Sequence, residues 1–127
     1  NLVLPRKAEI DAVREITDTL GISDKLFTRV GELSGGQQQR TAVGRALFCG
    51  GEVVLGDEPV SAVDEHQARD ILKALHKSHE TIVLAMHDMS LALEFTDRVI
   101  GLKDRRIAFD EASADLTTSD LVRLYKA

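Results

Sequence analysis

The chain has a single cysteine, Cys49, among 127 residues. That excludes an internal disulfide and fits a reducing compartment, so a cytoplasmic setting is expected. Cys49 ends a helical pattern just before Gly50-Gly51, which predicts a small packed residue rather than a nucleophile. No apolar run approaches membrane-spanning length; the longest, Ile82 to Met86, suits a buried strand. The opening Asn-Leu-Val-Leu-Pro has neither the basic n-region nor the apolar h-region of a signal peptide. Positive charge is also short: 16 Lys and Arg against 21 Asp and Glu leave a net charge of −5. Broad electrostatic binding to DNA or an anionic membrane is thereby disfavoured, and no nucleic-acid partner is expected. No repeat, low-complexity stretch or linker interrupts the chain. What remains, 43% hydrophobic and 29% charged, is the balance of a soluble globular protein. The length fits one small domain or part of a larger one.

Periodicity supplies the elements. Residues 6 to 20 read as an amphipathic helix with Ile10, Val13, Ile16 and Leu20 in one stripe, stopped by Gly21. Ile22 to Leu26 begins a short segment. Ser34 opens a helix through Ala42, Val43, Ala46 and Leu47, which Gly50-Gly51 ends. Val53 to Leu55 is short, apolar and β-branched, as a strand covered on both faces should be. Ser61 and Asp64 form an S-x-x-D start for a helix that carries Ile71, Leu72 and Leu75 inward. Thr81 to Met86 is a second buried strand, with His87-Asp88 at its carboxyl end and a helix over Ser90 to Phe95. Arg98 to Leu102 and Arg106 to Phe109 suggest a hairpin, although its turn lacks the glycine that makes such turns easy. Thr117 and Asp120 start a last helix, anchored by Leu121, Leu124 and Tyr125. Strands alternating with helices predict an α/β class with a largely parallel sheet.

Two motifs carry chemistry. Ser34-Gly35-Gly36-Gln37 is a capping box, yet its two glycines each cost up to about 1 kcal/mol relative to alanine in a helix interior. Bare backbone at the positive end of a helix suits close approach by phosphate oxygens. One helix later, Gly56-Asp57-Glu58-Pro59 ends a hydrophobic strand, and ligands gather at the carboxyl ends of strands in open α/β sheets. The bland alternative is a solvated acidic loop. His87 has its own bland alternative, a satisfied core histidine. His66, His76 and His79 lie on or just after one helix, belong to no motif and lack the partner set of a zinc site.

Leu33-Ser34-Gly35-Gly36-Gln37, with Gln38-Gln39-Arg40 and Arg45-Ala46-Leu47 after it, resembles the signature of the ABC-type ATPases. Glu52 to Pro59 is similar to their Walker B strand. The resemblance implies that Ser34, Gly35, Gly36 and Gln37 contact the γ-phosphate of an ATP held mainly by the opposite subunit, so that the site is completed in a dimer. It implies that Asp57 helps hold Mg²⁺ and that Glu58, the foremost catalytic candidate, orients and polarises the attacking water. Ser61-Ala62-Val63-Asp64 resembles the D-loop, with Val63 where leucine is more usual, and Asp64 would couple the two nucleotide sites. Met86-His87-Asp88 resembles the H-loop, whose histidine contacts the γ-phosphate and positions catalytic groups. The implied fold is a partial P-loop NTPase (RecA-like) parallel sheet. Residues 1–49 would be part of the helical subdomain and residues 50–127 the later half of the ATPase core.

No G-x-x-x-x-G-K-[ST] motif occurs in the chain. Asn1 to Pro5 resembles the stretch just after the family's Q-loop, so the phosphate loop, its lysine and its strand are expected to be missing. ATP binding by the chain alone should then be weak, because that loop provides most of the grip on the phosphates. Loss of that strand would leave unpaired edges in the sheet. The expected partners are therefore a separate N-terminal half, a second ATPase subunit and transmembrane permease subunits. The chain would sit peripherally on the inner face of the membrane. A single helix between signature and Walker B disfavours the coiled-coil DNA-repair branch. The compact helical region and short tail look most like an importer ATPase, and Asp115-Leu116-Thr117 with Leu121 to Tyr125 resembles the phosphonate importers. A non-catalytic remnant acting as a dimerisation or regulatory module, and an ABC protein of translation or DNA metabolism, are the alternatives.

Overall fold

The computed structural model describes residues 6–126. The Asn1 to Pro5 stretch lies outside the described residues, as does the side chain of Tyr125. The chain parts into two compact units, one ending at Ala85 and one beginning at Met86.

The first unit opens with α1 (Lys7–Thr19). Gly21, at φ +63°, terminates it: the Gly21 N–H donates to Asp18 O at 3.0 Å and the Ile22 N–H to Thr17 O at 2.9 Å. That is a Schellman ending, which needs the left-handed residue glycine supplies. Two short 3₁₀ turns, Ser23–Lys25 and Val30–Glu32, lead to α2 (Gly35–Cys49). β1 (Gly51–Asp57), α3 (Glu65–Ser78) and β2 (His79–Ala85) complete the unit, with β1 and β2 parallel and Val54 opposite Ile82. Ala68, Ile71, Leu72 and Leu75, spaced for one helix face, are buried along α3, with Ile71 and Leu72 wholly inaccessible. Leu20, Ile22, Leu33, Val43 and Val60 are buried in the same unit.

Three expectations need correction here. The strand at Val53 to Leu55 is not covered on both faces: Val53, Leu55 and Val83 are 57%, 77% and 55% exposed, while Val54 and Ile82 are half-buried. A single crossover helix between two strands covers a single face. Ser61 does not start α3; Asp64 is the N-cap, its carboxylate accepting the Gln67 N–H at 2.9 Å, and Ser61 lies in the turn before it. Cys49 is exposed rather than packed, because α2 buries fully only Val43.

The second unit comprises α4 (Met89–Phe95), β3 (Arg98–Lys103), β4 (Arg106–Ala112) and α5 (Thr118–Lys126). Asp88 caps α4 by accepting the Leu91 N–H at 2.9 Å. Thr117 and Asp120 cap α5 reciprocally: the Asp120 carboxylate accepts the Thr117 N–H at 2.9 Å and Thr117 Oγ1 accepts the Asp120 N–H at 3.2 Å. Leu121 is buried behind them.

β3 and β4 form the expected hairpin without a turn glycine. Lys103 pairs with Arg106, leaving Asp104 and Arg105 at φ +50° and +62°. Both central residues thus take the left-handed conformation that a two-residue turn of this hand demands. Arg98 donates to both Asp110 oxygens, at 2.6 and 2.5 Å, which holds that carboxyl below its ordinary pKa.

Gly101 pairs with Phe109, and a Cβ at Gly101 would lie 1.9 Å from Phe109 Cε1. The ring therefore lies across the glycine, and Phe109 is buried there. Gly101→Ala is expected to expel the ring and to lower stability by about 1.5–3 kcal/mol, the worth of burying such a side chain. A urea titration reads this as a lower midpoint; an unchanged midpoint would mean the ring rearranges freely.

Candidate nucleotide site

The phosphate-type turn is built by local capping. Ser34 Oγ accepts the Gln37 N–H at 3.3 Å while Gln37 Oε1 accepts the Ser34 N–H at 2.9 Å. The reciprocal pair leaves Ser34 and Gly35 exposed at the start of α2. Just behind, Gln38 Nε2 donates to the Leu33 and Val30 carbonyls at 3.0 and 3.2 Å, fastening the approach to the helix.

The two glycines differ. A Cβ at Gly35 would meet nothing within 4 Å, whereas one at Gly36 would sit 3.2 Å from Ala62 Cβ. Gly36 is thus accounted for by packing against the turn before α3. Gly35 is not, and the open space beside it leaves its backbone free for close approach by a ligand.

The carboxylates follow from the end of β1. Asp57 is its last residue and is exposed; Glu58 is half-buried and adopts φ +49°. Its N–H donates to Ala85 O of β2 at 2.8 Å, and its carbonyl accepts the Ser61 N–H at 3.2 Å. Gln39 Nε2, from the second turn of α2, donates to that same carbonyl and to Ser61 Oγ, the latter at 3.2 Å. Arg40 Nη1 donates to Ala62 O at 3.1 Å.

Ser34 to Gln37, Asp57, Glu58 and Asp64 therefore lie in one unit, with the helix that begins at the glycines tied to the loop that carries Glu58. Asp64 serves as the α3 cap. His87 belongs to the other unit, immediately before the α4 cap, and is exposed rather than in the core. Gln39 and Arg40 belong to the signature-like stretch, but no local pattern points to their contacts, because their partners lie 19 and 22 residues away. A cavity of about 370 Å³ lined by Ile16, Leu20, Leu33, Phe48 and other residues of the first unit includes none of the site residues in its lining.

The exposed Asp57 carboxylate at the end of a parallel strand, with half-buried Glu58 next in the chain, suits a hydrated divalent cation, since hard carboxylate oxygen is the donor Mg²⁺ selects while keeping several waters. A helix start exposed at Ser34 and Gly35, with no side chain at the glycine, suits a phosphate group.

The dimeric post-hydrolysis structure of the ATP-binding cassette MJ0796, bound to ADP and Pi, matches with a TM-score of 0.71 and 27% identity, over 89% of this chain and 50% of that one. The fold is that of part of a P-loop NTPase domain. A family model described as ABC transporter matches residues 5–61. The chain is 41% identical over 126 residues to the phosphonates import ATP-binding protein PhnC of Anaeromyxobacter dehalogenans, covering 98% of this chain and 25% of that protein. It is 40% identical over 120 residues to the macrolide export ATP-binding/permease protein MacB of Vibrio parahaemolyticus, covering 92% of this chain and 18% of that one. Together these matches support a fragment of an ABC transporter nucleotide-binding domain, and the chain spans half or less of the length of each of these three relatives.

Proposed function

We propose that this chain is the signature- and carboxylate-bearing part of the ATP-hydrolysing subunit of an ABC transporter, an importer of the phosphonate type. The observation that supports the reading is the open space at Gly35 in a capped helix start whose helix is bonded to the Glu58 loop. Residues 1–49 then belong to the helical subdomain and residues 50–127 to the ATPase core. Ser34, Gly35, Gly36 and Gln37 meet the phosphates of an ATP carried mainly by a second subunit. Asp57 holds Mg²⁺, and Glu58 takes up the proton of the attacking water, with His87 orienting the terminal phosphate. Mg²⁺, when bound, neutralises charge that builds on the phosphate oxygens. The sheet face at Val53, Leu55 and Val83 receives the half of the domain that bears the phosphate loop. Permease subunits complete the transporter, with the ATPase peripheral on the cytoplasmic side.

An exporter is the second reading, favoured by the MacB likeness; the two share this chemistry and part at the permease. The test is ATP hydrolysis by the chain alone and mixed with the phosphate-loop half of a PhnC cassette. Turnover that appears on mixing supports the reading. A mixture that forms a stable complex and binds Mg-ATP without turnover would sink it in favour of a non-catalytic module.

A further inference from the structure

We propose that Gln39 is a positioning residue: its carboxamide, reaching from α2 to the Glu58 carbonyl, fixes the backbone that aims the Glu58 carboxylate. The inference rests on the reading of Glu58 given above. It follows that the helix presenting Ser34 to Gln37 to one nucleotide also sets the carboxylate that serves the other.

Glu58 is the residue whose backbone most needs holding. A non-glycine side chain at φ +49° costs roughly 1–2 kcal/mol, and such conformations persist where surrounding bonds over-determine them. Three hydrogen bonds do so here, from three directions: to Ala85 O at the end of β2, from the Ser61 N–H in the following turn, and from Gln39 on α2. Two of the three are backbone to backbone. Gln39 provides the side-chain anchor, and its one amide nitrogen serves Glu58 O and Ser61 Oγ, spanning both ends of the tight turn.

Arg40 is the competing candidate and fits less well. It reaches Ala62 O, past the turn, and its Nε is buried without a partner. Gln39 also stands one helical turn below Gly35 on the same face, since residues four apart stack. A shift of the α2 start on engaging phosphate moves the Gln39 amide as part of one rigid helix, and the Glu58 carbonyl with it. Coupling between the sites then needs no path through the Asp64 region.

The experiment uses three variants of the full chain, mixed with the phosphate-loop half. Gln39→Leu keeps bulk and loses both polar ends. Gln39→Glu keeps shape but has no donor. Gln39→Lys keeps a donor of similar reach. Leu and Glu are expected to lower kcat about 10-fold or more with KM for ATP unchanged, and Lys to stay near wild type, because misplacement of a catalytic group costs the chemical step. Amide hydrogen exchange at Glu58 to Ala62 in the chain itself should speed about 10-fold in Leu and Glu but not in Lys. Three variants all matching wild type, or all three equally impaired, would overturn the proposal. If the wild-type mixture forms a stable complex and binds Mg-ATP without hydrolysing it, the functional reading fails, and the exchange rates still decide whether Gln39 holds the turn.

Discussion

Glu58→Gln is expected to lower ATP turnover by the completed cassette by about 10²- to 10⁴-fold, the range that loss of a positioned general base produces. The substitution is chosen for what it leaves alone. Glutamine has the same size, and the bonds to Ala85, Ser61 and Gln39 that hold the Glu58 turn involve its backbone N–H and carbonyl. The left-handed φ of +49° is no harder for glutamine to adopt. The backbone bonds that hold the turn should therefore survive the substitution. ATP affinity should hold, because the lost interaction belongs to the step in which water loses its proton. Steady-state turnover and equilibrium Mg-ATP binding on the same preparation separate these effects. Retained turnover would remove Glu58 from the chemistry, and Asp57, exposed beside it, would be the next carboxylate to examine.

Short-range physics was legible in the sequence. The Ser34–Gln37 box, the Thr117–Asp120 cap and the apolar stripe of α3 each depend on residues within a turn or two of one another. The parallel strands followed from their apolar, β-branched runs. Readings that depended on distant residues fared worse. Ser61 resembled a cap, but the turn set by Glu58 carries it towards Gln39, and Asp64 caps instead. Val53 and Leu55 read as doubly buried because the run is as apolar as a central strand; burial depends on what lies against each face. The Asp104–Arg105 turn shows the opposite case, where strand pairing on both sides imposes a conformation that neither residue favours.

Gly35→Ala and Gly36→Ala should move stability in opposite directions, and that divergence tests the nucleotide reading most directly. Here a methyl at Gly35 projects into open space, so alanine should leave stability unchanged or raise it by up to about 1 kcal/mol through its better helix propensity. A methyl at Gly36 meets Ala62 Cβ at 3.2 Å, in a turn already pinned by Gln39 and Arg40. The turn has little freedom to retreat, and a loss of about 1 kcal/mol is expected, the low end of overpacking costs. Function should rank the other way. In the completed cassette, the Gly35 methyl would hold phosphate off the first-turn amides. A displacement of about 1 Å at a reacting centre can cost 10²-fold, so turnover should fall by about that much while the fold stands. Urea midpoints on the chain and ATPase rates on the mixture give both readouts. A Gly35→Ala chain that is less stable would mean the glycine answers to packing after all. One that is equally stable and fully active would mean that no ligand approaches this turn, and the likeness to a signature helix would then be of sequence and fold without the contact that gives the motif its purpose.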